Sequence, residues 1–408
     1  MFLASVISLG GDWFLFVALG GMVFEATGSA TSVGLLIVSQ VVPIFLATPW
    51  AGWLADRLDR RRLMIVCDLG RAATCLGFLA VGPDTLWLAY ALLVVLSLFA
   101  AVFDPAMSAA LPNAVEPEDL ATANALSGSL WGTMLAVGAA VGGVVSTVFG
   151  ADTAFVADAV SFALSAVLLF GVRRALSEER SEDGHVGILA ATAETARYAR
   201  KDHRVLALIT VKFGLGMAAG VLALIAVFAR GVFDAGDVGF GLLMASRGIG
   251  ALLGPFLGHR LAGPNHARLL PTIGGSMALF GFGYMAVGLM PSLGLAALMI
   301  LIAHLGGGAQ WVLSAYGLQR LVPDQIRGRI FAFDFALVTF TLGVSSLVAG
   351  WLADALGPRP AVMIVGGIAF GWTGVWWFLT RDVRRTPIFE GCGEAPEEPV
   401  APLPLAVE

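Results

Sequence analysis

Long apolar runs recur along this chain, each about as long as a bilayer is thick and each ended by a short polar stretch. A spanning helix needs about 20 mostly apolar residues. Twelve runs meet that need: about 2–24, 32–54, 63–82, 86–110, 122–149, 152–172, 205–230, 238–259, 268–290, 292–317, 328–353 and 358–380. The longest polar interval, 173–204, divides them six and six. Within it, Ala191 to Arg204 reads as a short amphipathic helix. The pattern predicts an all-α membrane protein: a six-helix bundle over 1–172, a linker over 173–204 and a second six-helix bundle over 205–380. A disordered tail rich in Pro and Glu over 381–408 completes it.

Charge orients the array. Between the second and third runs stands Ala51-Gly52-Trp53-Leu54-Ala55-Asp56-Arg57-Leu58-Asp59-Arg60-Arg61-Arg62. Arginine in short loops marks the cytoplasmic side. If both termini lie on that side, the segments there hold nineteen of the 24 Arg and Lys, and the opposite loops hold one, Arg359. A wrong helix count would scramble that bias. The linker and tail are therefore expected in the cytoplasm.

The same stretch repeats. Ala51-Gly52-Trp53-Leu54-Ala55-Asp56 returns as Ala349-Gly350-Trp351-Leu352-Ala353-Asp354, between the eleventh and twelfth runs and on the other side. Matched junctions with opposite orientation fit inverted three-helix repeats nested in two halves. A weaker echo, Gly254 to Arg260, links the eighth and ninth runs.

Composition agrees with a polytopic protein: 58% hydrophobic residues, 13% charged, mean hydropathy +0.86. The 51 glycines let helices approach closely in lipid. The first span begins almost at Met1 without a basic n-region, so no cleavable signal peptide is expected. The two lysines, Lys201 and Lys212, follow no glycine, which excludes a Walker phosphate loop. Three cysteines suggest no disulfide framework. Five histidines, 185, 203, 259, 266 and 304, have no metal-ligand spacing. No cofactor or metal is expected, and the dispersed basic residues suggest no nucleic-acid partner.

Twelve spans with Gly-x-Leu-Ala-Asp-Arg between the second and third resemble the major facilitator superfamily. The loop signature falls on Gly52, Leu54, Asp56, Arg57, Arg60, Arg61 and Arg62, with Asp59 where a glycine is usual. Ser8 to Asp12, Asp68 to Arg71, Leu120 to Ala125, Asp158 to Phe162, Val322 to Asp324 and Arg327 to Arg329 are similar to the branch that includes macrolide efflux proteins and the enterobactin exporter. The resemblance covers about residues 1–380. It implies a monomeric secondary transporter in the plasma membrane that exports a lipophilic compound, with protons as coupling ion. The arginine common in helix four of other proton-coupled drug exporters is absent from 86–110.

Charges inside the bilayer cost about 2.5–3.5 kcal/mol on insertion scales and are usually kept for pairing, transport or proton movement. Asp12, midway along the first span beside Gly10 and Gly11, is the sharpest candidate proton carrier or cation site. Removal from water favours the neutral form of a carboxylic acid. The alternative is a structural hydrogen bond in a packed seam. Arg247 in the eighth span is a candidate counter-charge to Asp12 or substrate contact, or else a cavity wall. Trp131, Trp311, Gln310 and Gln40 are candidate substrate contacts or plain packing. His304 titrates near neutral pH in water, though a lone membrane histidine more often packs through a hydrogen bond. Asp68 and Arg71, three apart, share a helix face and can pair. Asp104, Asp158 and Asp334 lie near span ends, as caps or interhelical bonds. Lys212 and Arg230 are expected to snorkel to opposite interfaces.

These features favour a transporter over a membrane enzyme, which would need a metal or aspartate constellation the chain lacks, and over a scaffold. Import of a small organic solute remains the alternative to export. Asp56 is expected to cap or face the start of the eleventh helix near Gly328 and Arg329, with Arg57 and Arg60 to Arg62 pairing with acids such as Asp68 and Asp119. That latch would hold the inner gate shut.

Overall fold

The structure is a computed structural model. It describes residues 1–116, 119–172, 176, 197–198, 201–263, 266, 268–385 and 388–389. The side chains at 48–49, 51–53, 55–57, 112, 120–122, 124–125, 128, 324–325, 328 and 385 are set aside.

Twelve spanning helices follow one another. They are α1 (Phe2–Thr27), α2 (Ala30–Arg57), α3 (Arg60–Gly77), α4 (Leu86–Ala114), α5 (Leu120–Phe149) and α6 (Ala151–Phe170), then α7 (His203–Val232), α8 (Gly236–Ala262), α9 (Leu269–Val287), α10 (Leu293–Leu321), α11 (Asp324–Leu356) and α12 (Pro358–Leu379). No strand occurs among the described residues. A helix satisfies its own backbone and so can cross lipid, and the apolar runs of the sequence become these helices within a few residues. The expected amphipathic helix over 191–204 lies mostly outside the described residues, as does the tail from 390.

Side chains and glycines set the junctions. Ser29 precedes α2 and accepts from the Ser32 amide at 3.3 Å, and Asp59 precedes α3 and accepts from the Arg62 amide at 2.8 Å. Each satisfies an amide that the first turn leaves bare. Gly150 joins α5 to α6 at φ 85°, ψ 164°, and Gly357 joins α11 to α12 at φ 93°, ψ 159°. Only glycine enters that region without strain. Two equal turns at matched junctions are one sign of the repeat.

The packing is another. α1 lies against α5 and α6, α2 against α4, and α3 against α4 and α6. Six helices on, α7 lies against α11 and α12, α8 against α10, and α9 against α10 and α12. Two seams join the halves, α2 on α11 and α5 on α8, and each maps onto the other under the same operation. Small residues make the seams close: a Cβ on Gly143 would strike the Asp237 carbonyl, and one on Gly350 would strike Ala30 and Thr31.

α7 is not continuous. It runs as His203–Ala218, turns at Ala219 and Gly220, resumes as Val221–Val227 and ends in a π turn, Phe228–Val232. Ser345 of α11 stitches the break: its hydroxyl donates to the Met217 carbonyl at 2.5 Å and accepts from the Gly220 amide at 2.7 Å.

With twelve helices, both ends of the array meet on one face. Arg60, Arg61, Arg62, Arg204, Arg260, Arg268 and Arg320 stand there. The opposite face carries Arg230 and Arg359.

Candidate functional site

Asp12 sits ten residues into α1, so about 15 Å from the Arg-rich face. It lines a cleft between the halves together with Gln40 of α2. The other walls are apolar: Leu15, Phe16 and Leu19 of α1, Leu36 and Ile37 of α2, Leu93 and Leu96 of α4, and, from the second half, Leu222 of α7 and Phe240 of α8. One carboxyl and one amide in such a lining suit orientation of a largely apolar molecule.

Behind Asp12 the first half holds further charges. Gly11 brings α1 onto α6, where a Cβ would collide with Asp158 and Ser161. Asp158 accepts from the Cys75 thiol at 3.2 Å and from the Ser161 hydroxyl at 3.2 Å, which ties α3 to α6. Asp68 accepts from Ser165 at 2.6 Å and stands 3.8 Å from Arg71, which confirms the i,i+3 pair. The Arg71 guanidinium also lies over the rings of Phe103 (4.2 Å) and Phe162 (5.1 Å). Two of its N–H groups find no hydrogen-bond partner among the described residues, although it is buried. Arg71, Asp158, Asp104 and Asp68, all from its own half, act on Asp12. Arg247, the expected counter-charge, does not join them.

Arg247 instead places its guanidinium over the Trp131 ring, at 5.4 Å across the α5–α8 seam. Trp131 in turn meets Trp13 of α1 edge to face at 6.3 Å. This aromatic–cation stack bridges the halves beside the cleft. A cation over an indole face is stabilised by about 0.5–2 kcal/mol, more as water is excluded.

The remaining candidates separate from the cleft. His304 bonds the Tyr284 hydroxyl at 2.8 Å, inside the second bundle, with Phe280 edge-on at 5.4 Å. Gln310 is fully buried, and neither end of its amide has a partner among the described residues. Trp311 lies under the ammonium of Lys212, 4.9 Å from its ring centre. Lys212 does not snorkel. It is 2% exposed and bonds Asp334 of α11. The helix pattern gives depth along a span but not which side faces a partner, so a lysine two to three turns from an end reads as a snorkeller. Arg230 is likewise committed, bonding Glu25 of α1 and Asp237 of α8.

Several polar bonds at the opposite face join the halves. Arg230 and Asp237 belong to the second half; Glu25 and Ser146, which donates to Asp237, belong to the first. Asp354 closes the other seam. Its carboxylate accepts from the Ser29 hydroxyl at 2.7 Å and from the amides of Ala30 (2.7 Å) and Thr31 (3.0 Å), so it caps the start of α2. A carboxylate at a helix N-terminus is favourable through the bare amides and the helix dipole.

The model of the Major Facilitator Superfamily matches residues 1–335. The chain belongs to that superfamily. It is similar to an uncharacterised MFS-type transporter, YfiS, of Bacillus subtilis, with 32% identity over 42% of this chain and 41% of that one. Macrolide efflux protein A of Streptococcus pyogenes is 23% identical over 84% of this chain and 85% of its own. Among solved structures, a bacterial homologue of the human lysosomal transporter Spinster, inward-facing and unoccupied, superposes with a TM-score of 0.75 at 15% identity, over 93% of this chain and 96% of that one. Members of this superfamily are transporters of small molecules, not enzymes.

The superfamily's loop signature is only partly in view. The side chains of Gly52, Asp56, Arg57 and Gly328 lie outside the described residues, so the expected latch on α11 does too. Arg60 donates to the carbonyls of Ala109 (2.9 Å) and Leu176 (3.3 Å). Arg61 donates to the Leu169 carbonyl at 3.1 Å and to that of Phe170. The expected pairing of Arg61 with acids is corrected: it satisfies bare carbonyls at the C-terminus of α6, where a cation is favourable. Asp68, its supposed partner, belongs to Arg71. The Arg62 amide donates to Asp59, and Arg329 stands half-buried near the start of α11.

Proposed function

We propose that this protein is a proton-coupled exporter of lipophilic small molecules, set in the plasma membrane with its Arg-rich face and both termini in the cytoplasm. The observation that carries the reading is Asp12 in an otherwise apolar cleft that both halves line. A buried acid there serves proton and cargo in turn. Protonated, it is neutral and lets the cleft close; ionised, it favours a weakly cationic or hydrogen-bonding guest. The efflux activity in the name of the streptococcal relative supports the direction. In this reading the sealed opposite face is extracellular, and the Glu25–Arg230–Asp237–Ser146 and Asp354 contacts close the outer gate.

Purified protein in liposomes, with a macrolide as probe and an imposed pH gradient, tests the proposal. Gradient-driven movement is expected in the native protein. In Asp12→Asn that accumulation is lost while exchange without a gradient continues. Unchanged accumulation in the variant would remove Asp12 as the proton carrier. Movement only toward the cytoplasmic side would replace export by import.

A further inference from the structure

The second half carries a charge centre that the cleft does not use. Lys212 is the tenth residue of α7, and Asp12 is the eleventh of α1. α1 and α7 open their halves, so opposite charges occupy matched places in the repeat. Trp311 lies ten residues from the end of α10, and Asp334 lies ten from the start of α11. All three therefore stand about 15 Å from the Arg-rich face.

The pair is nearly dry. The side chains of Lys212 and Asp334 are 2% and 4% exposed. One carboxylate oxygen, Oδ2, bonds the ammonium, while Oδ1 has no hydrogen-bond partner among the described residues. Lys212 is the charged group that bonds Asp334. Among the described residues, no other charged group bonds the pair. α10 presents Trp311, and α12 presents Trp372, whose indole donates to the Thr210 carbonyl at 3.0 Å. α2, across the seam, has no ionisable residue between Ala30 and Ala47, and the Tyr284 hydroxyl of α9 is taken by His304. A buried ion pair with a bare oxygen gains less than it loses in hydration, so stability alone is a weak reason to keep it.

Its position supplies a better one. The ion pair and the Ser345 stitch at the break bond α7 to α11. Beyond the break, the same helix carries Arg230 to the opposite-face clamp. We propose that Lys212 and Asp334 form a second coupling site, at which a proton added to Asp334 frees α7 from α11 and thereby loosens the Arg230 clamp. The proton comes from water reaching the cleft and binds the bare Oδ1. The acid becomes neutral, the ammonium keeps its charge, and their attraction ends. The inference rests on the proton-driven reading above.

The test reads conformation rather than transport. Spin labels at Ala26→Cys and Val238→Cys, in a Cys392→Ser background of the full chain in liposomes, report the separation of α1 and α8 at the opposite face as pH falls. The native protein is expected to open with acid. Asp334→Asn mimics the protonated acid and should be open at every pH. Because a single neutralisation leaves a buried charge that can prevent folding, the double variant Lys212→Met/Asp334→Leu carries the test if that one fails. Its separation should respond to acid less than the native protein's, what response is left belonging to Asp12 and the other acids it retains. A double variant that opens with acid as the native protein does would overturn the second site. If native protein shows no gradient-driven transport while the labels still respond to Lys212 and Asp334, the export reading fails and this one stands.

Discussion

The two faces of this transporter are held in different ways. At the opposite face some polar bonds cross between the halves, Glu25 to Arg230, Ser146 to Asp237, and Ser29, Ala30 and Thr31 to Asp354, while others, such as Arg359 to the Gly288 and Met290 carbonyls, stay within one. At the Arg-rich face, among the described residues, the following stay within a half. Arg60 and Arg61 bond carbonyls of the first bundle, and Arg204 bonds Asp202 and the Ile388 carbonyl in the second. His259 meets His266, and Arg320 meets Tyr316, also within the second. Among the described residues, one face shows latches across the halves and the other shows braces within them. Latches govern the balance between states, whereas braces govern whether each half holds its shape.

Removing the largest latch should therefore have the largest conformational effect. Arg230→Ala deletes a cation shared by two carboxylates and leaves Asp237 buried. Losing one partner of a buried pair costs about 3–5 kcal/mol, and the exposure of Glu25, 68%, discounts its share. A shift of the closed-to-open balance on the order of 100-fold is expected, read as a longer Ala26–Val238 label distance at neutral pH. An unchanged distance would mean that the α5–α8 packing alone holds the face.

The second latch is weaker. Asp354→Ala removes an N-cap carboxylate from α2 and should cost about 0.5–2 kcal/mol. The same kind of label pair across the α2–α11 seam should open by less than the Arg230 variant does. Arg61→Ala sharpens the contrast. It should lower the thermal midpoint of the purified protein and leave both label distances where they were. If Arg61→Ala moves the labels and Asp354→Ala does not, the division into latch and brace is wrong.

Much of this is legible in the sequence. Twelve apolar runs gave twelve helices, because lipid leaves the backbone no alternative. The copy of Ala-Gly-Trp-Leu-Ala-Asp at 349–354 pointed to a mirrored junction, and Asp354 at the start of α2 occupies the mirror place of the contact expected of Asp56 at the start of α11. The azimuth of each charge was not legible. Lys212 and Arg230 read as snorkelling cations because hydropathy reports depth, not partner; Asp334 lies 122 residues from Lys212, and of the two partners of Arg230 Glu25 lies 205 away and Asp237 seven. Nor does the apolar pattern of α7 reveal its break. Gly220 is one of many glycines, and what makes the break tolerable is a serine 125 residues on.

The smallest expected effect belongs to a brace. His266 follows α8 at φ 53°, its ring 4.4 Å from Tyr316 and its Nε2 3.0 Å from the His259 Nδ1. Burial, and then the nearby His259 and Arg320, hold its imidazole below the ordinary histidine range. The folded protein thus binds fewer protons at this site than the unfolded chain. Its contribution to stability is present above about pH 6.5 and is lost as the pH falls through the lower folded value. Thermal midpoints measured at several pH values between 7.5 and 5 should fall more steeply in the native protein than in His266→Gln. The label distances at the opposite face should not distinguish the two. Equal slopes would show that Tyr316 and Arg320 brace that corner without the histidine, whereas a change in label distance would show that this brace belongs to the latch.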